Sequence, residues 1–137
     1  MPDFLVMTYD VCDFLCPMDE VQASAVRQPE GGYVRVGARL LTEIDLDARL
    51  KSLFPQLATG QSKELVLVTK TNGVAVRVGS ESHVASVAYA SFHLAPYLVR
   101  AVLQRHGVLA IRFVEDRIQY VVDLPLLLRE SGVEAAS

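Results

Sequence analysis

Ligands for a soft metal are scarce in this chain, whose 137 residues include two cysteines and three histidines. If Cys12 and Cys16 share one strand, they stand about 13 Å apart at ~3.3 Å per residue, too far for a disulfide. They read as buried thiols of a reducing cytoplasm. A lone Cys-x-x-x-Cys with no second pair is a poor zinc signal. His83, His93 and His106 show no metal-type spacing. Neither a metal nor a cofactor is therefore expected.

Long apolar runs are missing too. None approaches the roughly 18 residues that a membrane helix needs, so no membrane insertion is expected. The opening "MPDFLVMTYD" lacks a basic n-region, which argues against a secretory signal and for a cytoplasmic location. Positive charge is not gathered anywhere: the formal charge is −3, Lys and Arg are scattered, and no basic face offers itself to nucleic acid. There is no GxSxG, no phosphate loop and no dinucleotide fingerprint. "GSESHV" after Val78 holds Ser, Glu and His within one loop, where they cannot build a supported triad. Asp19, Glu20, Glu43, Asp45 and Asp47 read as solvated, turn or capping carboxylates. Met7 and Met18 read as core or interface. Nothing converges as an active site must, so no enzyme is expected.

What the chain does have is aliphatic strands. Half of it is apolar (51%), enough for a packed core in one domain or two very small ones. "FLVMTYDVCDFLC" predicts a hairpin from Phe4 to Cys16, with Tyr9 to Asp13 as its hinge. Pro17 ends the second strand or places it at a sheet edge. "QPEGG", Gln28 to Gly32, is loop chemistry. "YVRVGARLLTEIDL" gives a hairpin turning near Gly37-Ala38, and "DARLKSLF" a short helical turn packing Leu50 and Leu53. Pro55 to Lys63 is the best linker. "ELVLVTKTNGVAVRV" is a third hairpin around Asn72-Gly73, a pair suited to a type I′ turn. "AIRFVEDRIQYVVDL" is a fourth, turning near Glu115-Asp116.

The order repeats. "FLVMT" ending at Thr8 matches "LVLVT" ending at Thr69. "RLLTEIDL", Arg39 to Leu46, matches "RIQYVVDL", Arg117 to Leu124, with Arg, a branched chain and a closing Asp-Leu at one spacing. Extra residues from Ser86 to Gly107 delay the second unit. They predict a helix over 96–106, with Pro96 in its first turn and Gly107 as its terminator. Two similar all-β halves follow, about 1–57 and 64–130, each able to form only a small barrel that hides its strand edges. Each half, near 60 residues, is marginal alone, so the two should share an interface. The whole is read as one domain, 1–137, with a flexible tail over 131–137.

In that arrangement the chain resembles the CheW-like chemotaxis coupling domain over nearly its whole length. "FLVMTYDVCDFLCPMDEVQ" is similar to the family's opening hairpin and the segment after it. "GYVRVGARLLTEIDL" is similar to its glycine-led hairpin ending in Asp-Leu. "ELVLVTKTNGVAVRVGSESHV" resembles the third hairpin, and "VEDRIQYVVDLPLLL" the closing strand and short helix. The resemblance implies an all-β fold of two five-stranded, Src-homology-3-like barrels packed together, with one or two short helices. It implies a non-enzymatic adaptor joining the cytoplasmic tip of a chemoreceptor to a CheA-type histidine kinase. It places the partner surface on Met18, Val21, Val34, Arg35, Gly37 and Arg39, beside the groove between the barrels. The family's Asn-Leu-Arg-Gly is replaced here by Arg35-Val36-Gly37-Ala38, so Gly37 stands at the arginine position and Arg35 or Arg39 would supply displaced charge. Where the family often has a glutamate, this chain has Ala23. The alternative is a sensor that binds a small molecule in that groove, for which Arg35, Arg39, Thr42 and Glu43 are the polar candidates.

Overall fold

The structure, a computed structural model, describes residues 2–25, 33–36, 39–57, 65–69, 75–78 and 81–129. Among these residues ten strands and three α-helices run in the order β1 (Asp3–Thr8), β2 (Cys12–Pro17), β3 (Val21–Ala25), β4 (Tyr33–Val36), β5 (Arg39–Asp45), α1 (Leu46–Leu53), β6 (Leu65–Thr69), β7 (Ala75–Val78), β8 (Glu81–Ser86), α2 (Tyr97–Arg105), β9 (Val108–Val114), β10 (Arg117–Val122) and α3 (Leu124–Arg129). The four hairpins read from the sequence are all present, as antiparallel pairs β1–β2, β4–β5, β6–β7 and β9–β10. The 37–38 and 72–73 turns, the 28–32 loop, residues 58–64 of the linker and the 131–137 tail lie outside the described residues.

The strands form two five-stranded sheets, ordered β8-β1-β2-β10-β9 and β3-β6-β7-β5-β4. The two orders are the same order applied to the two halves: β1 and β2 correspond to β6 and β7, β10 and β9 to β5 and β4, and β8 to β3. The sequence repeat is therefore a topological repeat. Its partition differs from the expected one. Each hairpin stays in one sheet, and the next three strands cross to the other. β3 pairs with β6 and β5 with β7; β8 pairs with β1 and β10 with β2. Residues 1–57 and 64–130 are thus not separate barrels, because every sheet is built from both. Among the described residues neither ladder closes. β8 and β9 remain edges of the first sheet, and β3 and β4 of the second.

The crossing explains why β1 and β2 read as near-continuous apolar runs. The side chains of a strand alternate between faces, and here both faces are covered. Leu5, Met7, Cys12, Phe14 and Cys16 enter one cluster with Ile44, Leu46, Leu50 and Val76 from the second sheet and α1. Phe4, Val6, Leu15, Val87 and Val121 fill a second cluster on the opposite face. The edge-strand expectation for β2 fails for the same reason: β2 lies between β1 and β10. Pro17 is tolerated because the β10 ladder ends at Val121↔Leu15, before a missing N–H could matter.

The two Asp-Leu units do the same job twice. Asp45 caps α1 by accepting from the Ala48 N–H at 3.2 Å, and Asp123 caps α3 by accepting from the Leu126 N–H at 3.2 Å. Such a carboxylate satisfies an orphan donor of the first turn. The leucines that follow, Leu46 and Leu124, are fully buried in the shared cluster. Asp47 departs from the capping expectation. It is buried and accepts a hydrogen bond from the Tyr9 hydroxyl, tying α1 of one half to the β1–β2 turn.

The helix expected over 96–106 is α2. Pro96 stands just before its first turn, as the extended N-cap residue (φ −52°, ψ 145°), and not within it. Gly107 terminates it at φ +91°. A Cβ there would lie 3.0 Å from Leu127 Cγ, so both conformation and space demand glycine.

Candidate partner-binding face and polar network

The segment leaving β2 makes a 3-10 turn, Met18–Glu20, and then enters β3 at Val21. Met18 and Val21 are half-buried and pack against the shared core cluster. They are partly core, which limits them as free anchors. Arg35 is exposed on β4, an edge strand of the second sheet. Val34 stands opposite Leu41 and Arg39 opposite Val36 in the β4–β5 ladder; their side chains, and Gly37 entirely, lie outside what is described. The β4–β5 hairpin belongs to the same sheet as β3, so Val21 and the arginine-bearing strands share a sheet.

A polar network that the sequence did not reveal crosses the first sheet. Asp13, buried in β2, accepts from Arg117 Nη2 at 2.7 Å and from Gln119 Nε2 at 2.9 Å. Gln119 Oε1 in turn accepts from Arg112 Nη1 at 2.6 Å, and Arg112 Nε donates to Ser91 Oγ at 3.0 Å. Arg117 also donates to the Tyr9 carbonyl at 2.7 Å. The hydrogen bond to Asp13 raises the Arg117 pKa above its ordinary value. Both oxygens of the buried carboxylate are occupied by protein donors. The network is a brace between β2, β10 and β9, not a general base awaiting a substrate.

The cysteines are free, buried and on the same strand. Burial, with Asp13 nearby, pushes Cys12 up to about 11, and burial pushes Cys16 higher still. Neutral thiols are poor nucleophiles. Among the described residues no group of three or more His, Cys, Asp and Glu could hold a metal ion. His83, read as part of a loop, stands in β8 opposite Val6. His93 forms an isolated bridge with Ile111, and His106 closes α2.

Two concavities lie among the described residues. An apolar cleft of about 430 Å³ opens between Val11 at the β1–β2 turn, Phe54 and Leu57 after α1, and Ile118 and Tyr120 of β10. Burial raises the Tyr120 pKa, so its phenol stays neutral. Arg35, Thr42 and Glu43 do not line this cleft. Glu43 instead borders a second depression with Asp45 and Arg49 at the start of α1.

No family model and no curated protein matches the sequence. Among solved structures the chain is similar to the scaffolding protein TtCheW of Thermoanaerobacter tengcongensis, at 18% identity, with a TM-score of 0.68 over 96% of each chain. No helix among the described residues is long and apolar enough to cross a membrane. With its two five-stranded sheets in one repeated order, the chain has the CheW-like fold.

Proposed function

We propose that this protein is a non-enzymatic adaptor that couples the cytoplasmic tip of a chemoreceptor to a CheA-type histidine kinase. The observation that carries this reading is the end-to-end likeness to a scaffolding protein, with 96% of both chains superposed. The occupied carboxylate of Asp13 and the neutral thiols agree with a role in binding and not in catalysis. On this reading each open sheet corresponds to one of the family's two barrels. The partner face lies on the second sheet, where β3 forms one edge and the β4–β5 hairpin the other, with Met18, Val21, Val34, Arg35, Gly37 and Arg39 as its residues. Adaptor interfaces rest on a few desolvated anchors ringed by near-neutral contacts. The half-buried Met18 and Val21 would shape that face from below, and the arginines would meet acidic groups of the partner. A sensor of polar ligands is less well supported, since Arg35, Thr42 and Glu43 do not converge on the apolar cleft.

The test is reconstitution. The purified protein, a CheA-type kinase and a receptor-tip fragment from the same cell are mixed and sedimented together. The reading expects a saturable complex containing all three, and no recruitment of kinase to receptor when this protein is omitted. Recruitment that is the same with and without it contradicts the adaptor role.

A further inference from the structure

Charge and apolar surface are distributed unevenly in a way the adaptor reading does not use. From Ser82 to Val114 there is no acidic residue, although the chain has 16. That stretch carries a formal charge of +3 from Arg100, Arg105 and Arg112, leaving −6 for the rest of an acidic protein. It also contains α2, which has no buried residue. Leu98 is 89% exposed and Tyr97 82%, with Leu94, Val99 and Val102 also open. Tyr97, Leu98, Ala101, Val102 and Arg105 follow the helical spacing of a single face. Leu103 alone turns toward the core cluster. A helix that presents leucine and tyrosine outward, with only cations beside them, is shaped to be covered by an apolar surface with an acidic rim.

The chain carries such a surface itself. The apolar cleft beside Val11, Phe54 and Ile118 opens next to two exposed turns that hold Asp10, Glu115 and Asp116. Arg117, which stands between these turns, bonds to buried Asp13 and to the Tyr9 and Asp10 carbonyls. Val11 is 55% exposed and Ile118 37%, so the mouth of the cleft is itself apolar and open. The wall also holds the Gln56 amide, and burial keeps its two titratable groups, the Cys12 thiol and the Tyr120 phenol, uncharged.

We propose that α2 of one molecule docks into this cleft on a second copy of the chain, Leu98 and Tyr97 entering it and Arg105 facing the acidic turns. Donor and acceptor are different surfaces, so the contact is head-to-tail and leaves one of each free at the ends of a chain of copies. The two positively charged α2 faces repel each other, which disfavours a symmetric helix-to-helix dimer. The inference stands on the full protein's own surfaces and does not depend on the adaptor reading.

Sedimentation velocity of the full chain over a concentration series tests it. Leu98→Glu spoils the donor and Val11→Lys spoils the acceptor; both positions are exposed, so each variant should keep the native circular dichroism and melting point. The wild type should show concentration-dependent species beyond the 15.0 kDa monomer. Each variant alone should associate at least ~thirtyfold more weakly, the effect of losing one anchor. Mixed in equal amounts, they should form a species of two chains and nothing larger, because each supplies the surface the other lacks. The proposal is overturned if the wild type stays monomeric, including the case where it floats with phosphatidylserine vesicles instead. It is also overturned if Leu98→Glu abolishes association while Val11→Lys leaves it intact, the signature of a symmetric α2 contact. A mixture that remains monomeric overturns it as well.

Discussion

Asp13 illustrates what a residue can hide from sequence. In "DVCDFLC" it looks like a hinge carboxylate, and the structure buries it within β2 under Arg117 and Gln119. Nothing local marks the difference, since its partners lie more than a hundred positions away. Removing it leaves the buried Gln119 amide short of an acceptor and costs the partly exposed Arg117 its ion pair. Asp13→Ala is therefore expected to cost about 2 kcal/mol in urea denaturation. A cost within ~0.5 kcal/mol, that of an ordinary surface change, would show that the brace carries no stability. The cysteines were legible, because the alternation that makes β2 a strand also makes both thiols face the core. With Cys12 at about 11 and Cys16 raised further, neither should react with a disulfide reagent at neutral pH until the protein is unfolded. The linkage has a definite sign. Folding favours the neutral thiols, so that contribution is complete below the ordinary value of 9.0 and is lost as the pH rises through about 11. Stability measured by denaturant should fall over that alkaline window; fast thiol labelling of the native protein at neutral pH would contradict the burial.

At the scale of elements, hairpins were legible and lone strands were not. Each hairpin announced itself by two apolar runs around a turn. β8, "ESHVAS", and β3, "VQASA", are edge strands whose pairing partners come from the other half, and their composition is that of loops. Edge strands are commonly polar, which guards them against further pairing, so the physics that protects them also conceals them. Of the two readings of Pro17, the strand end holds and the sheet edge does not: it is the last residue of β2, opposite Phe4 of β1 and past the end of the β10 ladder. The repeated Asp-Leu was readable as a pattern, and the structure gives its cause in two helix caps. Asp45→Ala and Asp123→Ala should each lower stability by about 1 kcal/mol, with Asn at either position restoring most of it. Leu46→Ala or Leu124→Ala should cost about 3 kcal/mol, because each is fully buried. Equal, negligible effects of the aspartate and leucine changes in thermal denaturation would mean the repeat has some other origin.

For the molecule as a whole, the halves interlock. The sequence repeat was visible, and so was the need of each half for the other, given how little core some 60 residues can bury. What could not be read was the crossing, because pairing between halves depends on contacts distant in the chain. The crossing makes a prediction that two self-contained barrels would not. Cut between Gln61 and Ser62, the chain should yield two fragments that are each unfolded by circular dichroism and that regain strand structure on mixing. Two fragments that fold separately would contradict the sheet orders. The same interlocking bears on function, since it fixes β3 from one half beside β6 from the other and so sets the face assigned to partners. Arg35→Glu probes that face at an exposed position and Arg39→Glu probes it on the paired strand, whereas Val21→Asp tests packing as much as binding. The most direct test of the adaptor role is equilibrium titration of the full protein with a CheA-type kinase from the same cell, by calorimetry, for the wild type and the Arg35→Glu/Arg39→Glu double variant. The account predicts saturable binding by the wild type and at least ~tenfold weaker binding by a double variant that melts normally, a loss of about 1.4 kcal/mol or more. No detectable heat or complex with the wild type would contradict it.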